Sequence, residues 1–144
     1  MNMSSVKKTS KKYTVVELFS GAGGLALGFH NAGLEPVLLN DFDKDSCNTL
    51  KLNMPNWNVL LDDIKNVDFS QYKGADVVSG GFPCQAFSLA GKKLGMEDTR
   101  GTLFYEFARA VKEIQPKIFM AENVKGLLLH DGGKTIEVIM NVFN

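Results

Sequence analysis

The chain has 144 residues, 44% hydrophobic and 22% charged, the balance of an ordinary soluble domain long enough to bury a core. Lysine plus arginine and aspartate plus glutamate both number 16, so no net positive charge points to nucleic acid, although a local patch or a partner chain can supply one. Two cysteines, Cys47 and Cys84, are too few for a disulfide framework or a zinc site and suit a reducing cytosol, and no apolar run approaches the ~20 residues of a membrane span.

Residues 1–12 form a lysine-rich leader without the apolar core of a signal peptide. They read as a disordered basic tail; Lys7, Lys8, Lys11 and Lys12 within reach of phosphate are the alternative. From Tyr13 onward, short apolar runs alternate with segments of helical period. "YTVVELF" is a first strand, followed by a glycine turn and a helix from about Gly24 to Asn31. "PVLLN" is a second strand, backed by a helix from about Lys44 to Asn53, and "NVLL" and "ADVVSG" are the third and fourth strands. "TLFYEFARAVKEI" places Leu103, Phe107, Ala110, Val111 and Ile114 on one helical face, with Pro116 after its end. "KIFMAEN" is a fifth strand, and "KTIEVIMNVFN" begins a last helix. Strands buried on both faces and alternating with helices make an open, doubly wound α/β domain on a mostly parallel sheet, incomplete at its C-terminal side.

In such a sheet ligands bind at the carboxyl edge, and three successive strand ends there carry suggestive residues. "ELFSGAGGLALGF" sets Gly21, Gly23 and Gly24 in the first turn, with G-x-G-G spacing rather than a full pyrophosphate fingerprint. The second strand ends in "NDFD", with Asp41 twenty positions after Gly21, the separation at which a carboxylate accepts ribose hydroxyls. Phe42 beside it offers a ring face to adenine. "LLDDIKN" adds Asp63 and apolar Ile64. Helix caps at Asp41 and Asp63, with Phe42 in the core, are the plainer alternative. Acid and aromatic, then acid and apolar, after a short glycine turn favour an adenosine-containing methyl donor over a dinucleotide.

The fourth strand runs into "VVSGGFPCQAFS", where Gly80 and Gly81 permit close backbone approach and Pro83 stiffens the residue before Cys84. Position alone leaves a reactive and a packing role for Cys84 equally open. The fifth strand brings Glu122 and Asn123 to the same edge, so a thiol and a carboxyl group can flank one flat substrate. Cys47, inside the second helix, reads as packing, and His130 as a loop or capping residue.

The ordered motifs "FSGAGG", "NDFD", "DDI", "GGFPCQAFS", "EDTRGTLF" and "ENV" resemble those of the DNA (cytosine-5)-methyltransferases, especially of bacterial restriction–modification systems, from Tyr13 to the end of the chain. The resemblance implies a cytoplasmic bacterial enzyme that transfers a methyl group from S-adenosylmethionine to C5 of a cytosine rotated out of duplex DNA, leaving S-adenosylhomocysteine and needing no metal. It implies that Cys84, presented by Pro83, adds to C6 of the base, and that Glu122 hydrogen-bonds N3 and the exocyclic amino group. Glu122 then needs a raised pKa in a dry pocket, which Asn123 helps to hold. Phe19, Ala22, Gly24, Leu25, Asp41, Phe42, Asp63, Ile64, Gly81 and Leu103 match donor-lining positions. Asp41 and Phe42 stand where the family usually has glutamate and tryptophan, a shorter acid and a smaller ring. Gln85, Ser88, Lys92, Lys93 and Arg100 fall in a segment that resembles the mobile DNA-contacting loop. The resemblance makes 13–144 the N-terminal part of a catalytic domain without its DNA-reading region and C-terminal motifs, which implies completion by the rest of the enzyme, in the same gene or a second chain. An inactive fragment, one part of a split enzyme and an RNA cytosine-5 methyltransferase are the alternatives.

Overall fold

The computed structural model describes residues 12–83 and 102–143. Five strands, β1 (Thr14–Leu18), β2 (Glu35–Asp41), β3 (Val59–Leu61), β4 (Val77–Gly80) and β5 (Ile118–Ala121), form one sheet in the order β3-β2-β1-β4-β5, every neighbouring pair parallel. The helices are α1 (Gly24–Asn31), α2 (Lys44–Asn53), α3 (Thr102–Ile114) and α4 (Lys134–Phe143), with tight turns of 3-10 helix at Ile64–Asn66, Phe69–Tyr72 and Lys125–Gly133. The expected strands and helices all form, and the sheet is wholly parallel.

Two apolar clusters show that the sheet is covered on both faces. One gathers Val16, Leu18, Leu38 and Val78 from the strands under Phe104, Phe107, Ala110 and Ile114 of α3. The other joins Leu39 and Val59 to Ala26 of α1 and to Cys47 and Leu50 of α2, with Trp57 against it. Consecutive Leu38 and Leu39 serve opposite faces because strand side chains alternate. Local chemistry sets the helix starts: Asp43 accepts from the Ser46 amide at 2.7 Å and caps α2. Gly23 opens α1 at φ 87°, and a Cβ at that position would overlap the Leu50 side chain.

Burial on both faces fails at one place. β5 is an edge strand exposed along its whole length, with Ile118 63% accessible. Its Phe119 ring stacks at 4.4 Å on Phe143 of α4, which in turn reaches Phe104 and Phe107. The foot of the sheet is tied by Asp76, which accepts from the Thr14 amide at 3.0 Å and from Lys117 Nζ at 2.6 Å.

Candidate functional site

Because β1 lies between β2 and β4 and all strands run the same way, the ends of β1, β2, β3, β4 and β5 share one edge. That edge holds a switch point, where chain connections leave toward opposite faces and a crevice opens. Phe19 turns out of β1 at φ 56°, a left-handed conformation that a bulky residue enters only at a cost of about 1–2 kcal/mol. The turn it starts is fixed from the neighbouring strand. The Gly21 amide donates to Asp41 Oδ2 at 2.7 Å, and the Asp43 amide to Oδ1 at 2.9 Å.

Asp41 therefore holds the glycine turn and the approach to α2 together, while still standing at the edge of a crevice. That crevice has a volume of about 290 Å³ and is lined by Phe19, Asn40, Asp41, Phe42, Asp63, Ile64, Lys65 and Leu103. Six of the ten expected donor-lining residues meet there. Phe42 is 73% exposed, which removes it from the core and leaves its ring free at the crevice. Asp63 does cap the following turn, accepting from the Lys65 amide at 3.0 Å, so the capping and lining roles coincide in one residue.

Ala22, Gly24 and Leu25 lie on the glycine turn and the start of α1, outside this lining. Gly81 sits toward the fifth strand instead: a Cβ on it would lie 3.0 Å from Glu122 Oε2. Glu122 is exposed, and its amide donates to the Gly80 carbonyl at 3.0 Å. Asn123 Nδ2 donates to the Phe82 carbonyl at 2.6 Å. Phe82 is buried against Phe104 and Phe107, whereas Pro83 is exposed. Glu122 and Asn123 thus flank the backbone that runs into position 84. Cys84, Gln85, Ser88, Lys92, Lys93 and Arg100 lie outside the described residues, as does nearly all of the basic tail.

Two lining residues escaped the sequence reading. Asn40 is buried and its side-chain amide donates to the carbonyls of Leu60 and Asp62, joining the ends of β2 and β3. Its only signal was an amide where the strand pattern calls for an apolar residue. Lys65 follows Ile64 in a turn that periodicity does not mark. Cys47 is fully buried, and burial pushes its thiol pKa up, as suits a packing residue. His130 shares a 2.6 Å hydrogen bond with Thr135 at the start of α4. Among the described residues no cluster of histidine, cysteine or acid is arranged to hold a metal ion, and no helix is long and apolar enough to cross a membrane.

A family model for C-5 cytosine-specific DNA methylase matches residues 13–144. The chain is 61% identical over 137 residues to the Type II methyltransferase M.Eco47II of Escherichia coli, covering 94% of this chain and 33% of that protein. It is likewise 61% identical over 134 residues to M.PspPI of a Psychrobacter species, covering 92% and 32%. Among solved structures, one described as a DNA modification methyltransferase encoded within an E. coli prophage superposes with a TM-score of 0.74 at 30% identity, over 91% of this chain and 37% of that one. The chain spans about a third of the length of these relatives.

Proposed function

Because the chain belongs to the C-5 cytosine-specific DNA methylase family, in the branch of restriction–modification methyltransferases, we propose that it supplies the donor crevice and the nucleophile of a DNA cytosine-5 methyltransferase. The observation that carries this reading is the convergence of two features on one sheet edge. An acid-and-aromatic crevice lies at the ends of β1, β2 and β3, and Glu122 and Asn123 brace the backbone leading to Cys84.

The crevice fits an adenosine in its chemistry. Phe42 and Ile64 offer apolar faces to a flat base, Asp63 an acceptor at its rim, and Asp41 a carboxylate for a ribose diol. S-adenosylmethionine, the family's methyl donor, supplies a methyl group on a positively charged sulfur. The chain's own residues do the rest. The Cys84 thiolate adds to C6 of cytosine, forming an S–C6 bond and placing carbanion character on C5. Glu122 hydrogen-bonds N3 and the exocyclic amino group of the base, where charge grows on the ring. After C5 has taken the methyl group, its proton leaves to solvent and the thiolate is expelled, which restores the ring and the free cysteine.

We assign the reading and clamping of duplex DNA to segments outside the matched third of the relatives' length, in the same polypeptide or in a second chain. We therefore test the reading with a chimera that joins residues 1–144 to the remainder of the 61%-identical E. coli relative. On that relative's own recognition duplex carrying 5-fluorocytosine, the chimera should form a covalent adduct that peptide mapping places on Cys84. Cys84→Ser should abolish it and leave S-adenosylhomocysteine binding within about twofold. An adduct on Cys47, or unimpaired methylation by the Cys84→Ser chimera, overturns the assignment.

A further inference from the structure

The crevice has two walls on the side of α3, and one residue outside it fastens them together. Leu103 lines the crevice from the first turn of α3, and Asp63, Ile64 and Lys65 line it from the turn after β3. Among the described residues β3 pairs with β2 alone, and after the Asp62 amide bonds the Asp41 carbonyl the backbone turns away from the sheet. Arg109, on α3, reaches that backbone. Its Nη2 donates to the Ile64 carbonyl at 2.9 Å and its Nη1 to the Val67 carbonyl at 3.1 Å. The guanidinium carbon lies 4.7 Å from the centroid of the Phe69 ring, and Phe69 is fully buried. Glu106 accepts from Nε at 2.6 Å and Glu113 from Nη1 at 3.3 Å, which holds the guanidinium plane in one orientation.

A planar fork that meets two carbonyls, a ring face and two carboxylates at once is a task for arginine and not for lysine. We propose that Arg109 is a positioning residue for the donor crevice: it is not among the lining residues, but by holding the Ile64 carbonyl it fixes Ile64 against Leu103 and so sets the gap that receives the adenine ring. The proposal rests on the donor reading above. A merely stabilising arginine would change how long the domain stays folded. A positioning arginine also changes the affinity of the folded state for an adenosine ligand, because loosened walls must be ordered when the ligand enters.

The test compares Arg109→Met, Arg109→Lys and a control, Lys117→Met, which breaks an ion pair at the far foot of the sheet, in the 144-residue chain. Calorimetry with S-adenosylhomocysteine and amide hydrogen exchange over residues 62–67 are the readouts. Arg109→Met should bind about tenfold more weakly, the effect of losing charged hydrogen bonds, and exchange faster across 64–67. Arg109→Lys, which keeps the charge over Phe69, should fall between, and Lys117→Met should alter neither readout even where it lowers the melting temperature. Parental affinity in Arg109→Met overturns the proposal. A parent chain that does not bind, with exchange still faster in Arg109→Met, rejects the donor reading and upholds the fastening of the wall. No binding with unchanged exchange rejects both.

Discussion

Asn123 and Phe82, 41 positions apart, are joined by a 2.6 Å hydrogen bond from the side-chain amide of one to the carbonyl of the other. The bond ties the end of β5 to the residue before Pro83, at a point where the Phe82 ring is already packed on Phe104 and Phe107. Removing the donor leaves a carbonyl short of a partner, worth about 1–3 kcal/mol. Asn123→Ala in the chimera should therefore slow formation of the 5-fluorocytosine adduct by about tenfold or more while leaving S-adenosylhomocysteine affinity within about twofold. Equal adduct rates in the two proteins would show that the bond does not position Cys84.

Asp41 is expected to govern the other half of the reaction. Its two oxygens already accept the Gly21 and Asp43 amides, and an ionised carboxylate has lone pairs left for a ribose diol. Asp41→Ala should weaken S-adenosylhomocysteine by about 1.5–3 kcal/mol, through the lost charged acceptor and the loosened glycine turn together. Asp41→Asn keeps one acceptor and should lose less. Calorimetry that finds the alanine variant as tight as the parent removes Asp41 from the crevice.

The elements that were legible in the sequence are those fixed by local pattern. The apolar runs of β1 to β5 and the 3- and 4-residue spacing along α3 each need only a few neighbouring residues to be read. Strand ends in a parallel sheet then bring distant motifs to one edge, which is why Asp41, Phe42, Asp63 and Ile64 could be grouped before any coordinates. Arg109 was not legible, because on a helix at i−3 and i+4 from two glutamates it reads as an exposed charged face. Its contacts with Ile64 and Val67 span more than 40 positions.

Glu17 gives the fold a pH dependence of its own. It lies on the central strand, opposite Leu39 and Ser79, is buried, and has one carboxylate oxygen without a hydrogen-bond partner. Burial raises its pKa from 4.5 to about 7. The folded state thus holds a proton that the unfolded chain releases, so stability is greatest below pH 4.5 as far as this group is concerned. It declines as pH rises toward 7, and above 7 the charged acid is buried at full cost. At about 1.4 kcal/mol per pH unit, the displacement from 4.5 to about 7 corresponds to about 3 kcal/mol. Glu17→Gln, which stays neutral, should gain stability over the parent progressively between pH 5 and pH 8, read as a widening difference in urea midpoint. A difference that stays flat across that range would mean that Glu17 is not a buried acid in the folded chain.

The isolated 144-residue chain is expected not to methylate DNA and to associate with itself. Its net charge is zero, so it lacks the general attraction that phosphates give to basic proteins. One edge of its sheet is the bare strand β5, with Ile118, Phe119 and Met120 exposed, and Leu129 beyond it is 80% accessible. A strand with one open edge and apolar side chains is a template for another strand. In the chimera the remaining two-thirds of the relative can occupy that edge; in isolation a second copy is the available partner. Sedimentation of the isolated chain should show concentration-dependent association that Ile118→Lys weakens, since a charge on an edge strand opposes pairing. Labelled methyl groups should enter duplex DNA with the chimera and stay near background with the isolated chain. Site-specific incorporation by the isolated chain at a rate comparable to the chimera would refute the need for those further segments, and a monomer at high concentration would refute the role given to β5.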